Sequence, residues 1–123
     1  MIWHPWLGLP HRIGADPRTD GAACCLVIAH ILLCDAGLSP PPLQPMIEAA
    51  AKGDWGSLMN DYNQATVPVG APERLSMTLL TTRNGIGLAT VVDDGMLLVP
   101  HHKHGVIAFP ADVLRGRDWR KLR

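Results

Sequence analysis

Three cysteines and six histidines are the side chains of this sequence suited to nucleophilic or metal chemistry. Cys24 and Cys25 are adjacent, and the apolar run that follows them has helical spacing, so Cys25 falls at the start of a helix. A thiol there feels the positive end of the helix dipole and unpaired N–H groups, which favour the thiolate. Activation further requires an imidazole within hydrogen-bond reach and a third polar group to orient it. His30 follows Cys25 by five residues, about 140° around the helix axis, so the two cannot face each other. His11, in the loop ahead of the helix, is the candidate for a substitute base. Without a base Cys25 reads as a small buried hydrophobe, and Cys24 and Cys34 read as core fillers.

The run His101-His102-Lys103-His104 has a different chemistry. In a strand His102 and His104 would share one face, but a third ligand would have to come from elsewhere, and Lys103 adds an unhelpful positive charge. The reading is therefore a solvated hairpin turn, with no metal and no other cofactor expected. The odd cysteine count, with two of the three adjacent, excludes a disulfide framework.

The length of 123 residues implies one domain, residues 1–123, and therefore one site. Eleven basic and eleven acidic side chains cancel, which removes any general electrostatic reason to bind nucleic acid. The longest apolar stretch, residues 22–33, is interrupted by His30 and is shorter than the roughly 20 residues of a membrane span. The first residues lack the basic start and apolar run of a signal peptide, so synthesis in the cytoplasm is expected, with export only by a route such as incorporation into a virus particle. Charged residues make up only 18% of the chain, a sparse surface that points to burial in a larger assembly.

The elements that must position the cysteines follow from the pattern. Proline and glycine at positions 5, 8, 10, 14 and 17 make the first twenty residues an irregular loop. Residues 21–36 form a central helix, apolar nearly all round and closed by Gly37. Two short helices follow, over residues 45–52 and, capped by Asp54, residues 55–62. Strand-like runs then cover residues 76–82, 87–92, 96–99 and 105–109, with Asp93-Asp94-Gly95 as a hairpin turn between the second and third. Helices first and an antiparallel sheet of four or five strands afterwards define an α+β fold with a buried central helix.

The stretch Leu7-Gly8-Leu9-Pro10-His11-Arg12-Ile13-Gly14, followed by Gly21-Ala22-Ala23-Cys24-Cys25-Leu26-Val27-Ile28-Ala29, resembles the start of the NlpC-type papain-like cysteine peptidases. That family's pattern is roughly L-G-x-P-Y-x-x-G-G and then D-C-S-G-F-V, with the Cys as nucleophile in enzymes that cleave bacterial peptidoglycan. The resemblance implies a papain-like fold with Cys25 at the nucleophile, Cys24 where the family has Asp, and His11 at the family's Tyr. The family's base opens a strand reading H-V-G-I-x-V-G-D-G, which corresponds to residues 87–95 and puts Gly87 at the base. The third polar group falls near Val99. With both positions apolar, the implied protein is a degenerate NlpC-like domain resembling phage tail-tip and baseplate-associated proteins, located in the virion among other tail proteins. The alternative is an active peptidoglycan peptidase or amidase using Cys25 with a relocated histidine.

The two ends complete the expectation. Trp3 and Trp6 at the start, and Trp119 and Arg120 in the basic tail that begins at Arg115, are the residue types that anchor protein interfaces. They are expected outside the core, docked on neighbouring proteins.

Overall fold

In the computed structural model, which describes residues 2–82 and 85–123, helix α1 (Cys25–Asp35) buries apolar side chains around most of its circumference. Such a helix cannot lie on a surface and must be covered from several sides. It packs on one face of an antiparallel sheet and is flanked by helix α2 (Leu43–Ala51), itself packed against helix α3 (Trp55–Ala65). The sheet contains β1 (Thr66–Pro68), β2 (Met77–Thr82), β3 (Gly85–Val91), β4 (Met96–His101), β5 (Gly105–Pro110) and β6 (Arg120–Leu122), in the order β1-β6-β2-β3-β4-β5. A small α+β fold is thus present, with α1 against β3 at its centre.

Local signals act where the sequence places them. The Asp54 carboxylate caps α3 by accepting from the Ser57 N–H at 3.2 Å and the Ser57 hydroxyl at 2.7 Å. Asp94 and Gly95 both take positive φ, the conformation that a tight hairpin between twisted strands demands. Helix α1, however, starts at Cys25 rather than at residue 21. Ala23 instead forms a parallel bridge with His11, donating to the Pro10 carbonyl at 2.9 Å and accepting from the Arg12 N–H at 3.1 Å. Pairing with a distant loop outcompetes the extra turn of helix.

The ends depart furthest from expectation. Trp3, Trp6 and Trp119 are buried in the chain's own core, each no more than 6% exposed. The N-terminal segment pairs with the edge of the sheet, Gly8 donating to the Val106 carbonyl at 2.9 Å and Leu9 accepting from the Val106 N–H at 3.0 Å. Gly105 permits this approach, because a Cβ there would collide with the Gly8 and Leu9 carbonyls. The start of the β5 edge is covered in this way at Val106.

The basic tail is strand β6, paired with β1 through Thr66↔Leu122, Val67↔Lys121 and Pro68↔Arg120. Its arginines bond the carbonyl end of α3. Arg120 donates to the Thr66 hydroxyl at 2.8 Å and to the Thr66 and Asn63 carbonyls at 3.1 and 3.3 Å, and Arg123 donates to the Gln64 carbonyl at 2.7 Å. Cations that satisfy the last carbonyls of a helix also complement its dipole. The residues expected to dock on a neighbour therefore close the chain on itself, a long-range pairing that leaves no pattern within a three-residue strand.

Charge-assisted hydrogen bonds of this kind contribute about 1.5–3 kcal/mol. Arg120→Ala is expected to lower unfolding stability by about that amount, seen as a reduced urea midpoint at constant slope. Arg117→Ala, which removes an exposed side chain, should change stability by less than about 0.5 kcal/mol.

Candidate functional site

A cleft of about 600 Å³ opens at the head of α1. Its floor holds Cys24 and Cys25, its near wall carries the loop with His11, and its far wall is formed by the ends of the central strands. Trp55, Leu58 and Leu79 make much of the lining apolar. Trp55 lies over Gly85, where any Cβ would run into the indole.

Both thiols are fixed by the segment that precedes the helix. Cys24 is the N-cap residue of α1, and its own N–H donates to the Ala15 carbonyl at 3.1 Å. Cys25 opens the helix and is buried, its Sγ accepting the Leu88 N–H from β3 at 3.4 Å. The two sulfurs do not share the proton evenly. Hydrogen bonding from the Cys25 thiol holds the Cys24 thiol well below its ordinary pKa, with the His11 imidazole and the N–H groups of Gly14 and Val27 acting in the same direction. Cys25, donating to Cys24 and buried, is pushed well above its ordinary value, and the Leu88 N–H offsets this only in part. Among the described residues no imidazole belongs to the groups that act on the Cys25 sulfur.

The backbone of His11 bridges to Ala23, and its imidazole lowers the pKa of the Cys24 thiol, whereas the sequence pairs it with Cys25. The signal that could have shown this is the Cys24-Cys25 doublet itself. The first residue of such a pair takes the cap position, while the second opens the helix and meets β3. Cys34, expected as core, is exposed on the last turn of α1, and His30 is half-buried near Pro40 and Pro41.

Gly87 and Val99 both border the cleft. Strand alternation sets what side chains at these positions face. Leu88 and Val92 of the β3 segment join the cluster around α1, whereas Ala89 and Val91 lie in a smaller cluster on the other side of the sheet, with Leu97, Val99 and Trp119. Position 87 is in phase with Ala89 and Val91, so its direction is away from α1. It is the backbone of Leu88 that reaches Cys25.

Comparison with known family models, curated proteins and solved structures returns no match to this chain. The site is therefore read from its own geometry.

The histidine run borders the same cleft at the end of β4. His101 stacks on both His102 and His104 with ring centroids 4.7 Å apart, so the cluster gathers around His101 and not on a shared face of His102 and His104. The chain turns there, which breaks the alternation expected of a strand. Nδ1 of His101 accepts the N–H groups of Lys103 and His104 at 3.0 and 3.1 Å. Among the described residues no group of three or more His, Cys, Asp or Glu side chains is arranged to hold a metal ion.

Desolvation, followed by the positive charges of His102, His104 and Lys103, lowers the His101 pKa. A proton on Nδ1 would also displace the two N–H groups it accepts. In an NMR titration His101 is expected to protonate below the ordinary histidine value of about 6.5, and Lys103→Gln should move its midpoint upward.

Proposed function

We propose that this chain is a phage tail-tip or baseplate-associated structural protein whose NlpC-like domain has lost the family's catalysis. One observation carries the reading. The Cys25 sulfur, at the position of the family's nucleophile, is held by a backbone N–H and a neighbouring thiol, with no imidazole among the described groups acting on it. A thiol whose pKa is raised by burial and that lacks a base does not become the nucleophile that acyl transfer requires. Loss of a triad base costs several powers of ten in rate, so turnover by the family's route is not expected.

The fold remains useful without that chemistry, because fold and catalysis are separable. The cleft at the head of α1 retains the size and apolar walls of a site for a small ligand or peptide segment. A net charge of zero and 18% charged residues suit a surface covered by other tail proteins. No described helix is long and apolar enough to cross a membrane.

Two measurements test the proposal together. Incubated with purified peptidoglycan, the chain should release no more soluble peptide than its Cys25→Ala variant, and expressed with the neighbouring tail proteins it should co-sediment with assembled particles. Release of peptide that depends on Cys25 would restore the peptidase reading, and free chain left wholly outside the particles would remove the structural one.

A further inference from the structure

The cleft at the head of α1 sorts its lining by chemistry. Among the described residues no Asp or Glu borders it, whereas Arg12, His11, His101 and His102 do. These four come from segments held to each other by the Gly8 N–H to Val106 carbonyl bond at 2.9 Å, the Val106 N–H to Leu9 carbonyl bond at 3.0 Å and the close approach at Gly105. The strand order β2-β3-β4 puts Leu79 on the other side of the cleft, where it belongs with Met46, Trp55 and Leu58 to one apolar cluster. His11, Arg12 and His102 are exposed and His101 half-buried, while Leu58 and both thiols are buried. The basic groups therefore stand at the mouth and the apolar surface runs inward. Two of the mouth groups retain donors for a ligand. The ion pair of Arg12 with Asp20 spans 3.9 Å, beyond hydrogen-bond distance. Nδ1 of His101 accepts the Lys103 and His104 N–H groups, which leaves the proton of the neutral ring on Nε2 as a donor.

We propose that the cleft binds a single-chain aliphatic carboxylate, a fatty acid of about ten carbons, with its carboxylate at the mouth beside Arg12 and the imidazoles and its hydrocarbon chain against Met46, Trp55, Leu58 and Leu79. Charge complementarity selects the head group. A mouth that carries a guanidinium and three imidazoles, with no carboxylate among its described residues, attracts an anion and repels a cation. A guanidinium also matches a carboxylate in shape and offers it two parallel N–H groups. The inner wall selects the body. Side chains such as Met46, Leu58 and Leu79 give almost no hydrogen bonds to the amides of a peptide, which would be buried unpaired at a cost, whereas methylenes lose nothing there. A volume of about 600 Å³ suits one small ligand of this kind. Binding requires no chemistry at either thiol, and it is independent of whether the chain is built into a tail particle, so neither peptide release nor co-sedimentation is its readout.

The test titrates the full chain at pH 7.5 with decanoate, octanoate and decyltrimethylammonium, each below its micelle-forming concentration, by isothermal titration calorimetry. Decanoate should bind one molecule per chain with a Kd below about 0.1 mM. Octanoate should bind about tenfold more weakly, because two methylenes no longer leave water. Decyltrimethylammonium, with the same tail and the opposite charge, should bind at least about tenfold more weakly than decanoate. Arg12→Ala, a change at an exposed side chain, should weaken decanoate about fivefold and leave decyltrimethylammonium no weaker. Decanoate should move the tryptophan emission to shorter wavelength, and Trp55→Phe should abolish that shift, since Trp3, Trp6 and Trp119 are buried and do not line the cleft. Absence of saturable decanoate binding overturns the proposal, as does equal affinity for the two head groups or for the two chain lengths. An Arg12→Ala variant that holds decanoate as tightly as the parent overturns it too, and so does an emission shift that survives Trp55→Phe. Should a variant fail to fold, the three probes on the unaltered chain decide the question.

Discussion

Helix α1 has no polar face, and the rest of the fold follows from that constraint. Eight of its eleven residues are buried, so the helix needs cover from more than one layer. The sheet supplies one side through β3, α2 supplies another, and Trp3 and Trp6 join the same cluster from the N-terminal segment. Large aromatic side chains on a segment with little regular structure are suited to this, since each removes much apolar area from water with few rotamers to fix. The indoles that looked like anchors for other proteins anchor the chain's own loop. That loop then carries His11 to the head of the helix.

The carbonyl end of α3 imposes a second demand. A helix leaves its last carbonyls without intrahelical donors, and here the donors come from the far end of the chain. Arg120 and Arg123 meet that need while β6 pairs with β1 and β2, so one short segment joins β1 to the rest of the sheet and caps the helix. The first and last parts of the described fold are both integral to it. Surfaces available to partners must therefore be sought among side chains that remain exposed, such as Ile13 beside the cleft and Val113.

At the site, the decisive physics is competition between two sulfurs for a small number of donors. Cys25, with smaller contributions from His11 and backbone N–H groups, lowers the pKa of the Cys24 thiol, while Cys24 and burial raise that of Cys25, offset in part by the Leu88 N–H. Adjacent thiols cannot both ionise at close range, so whatever favours one thiolate suppresses the other.

Much of the secondary structure was legible in the sequence. Period and punctuation identified α1, α2 and α3 to within a few residues, the Asp54 cap, the Asp-Gly hairpin and the four longer strands, because these depend on local propensity and side-chain alternation. The thiols at the helix head were legible for the same reason. What the sequence could not decide were the pairings between distant segments. Ala23 with His11, Gly8 and Leu9 with Val106, and β6 with β1 each involve a few residues, too short to carry a periodic signal. These contacts determined which tryptophans are buried, where the arginines bond and where the His11 loop meets the head of α1. Non-local hydrogen bonds and the packing of α1 decided them, and both exist only once the chain has folded.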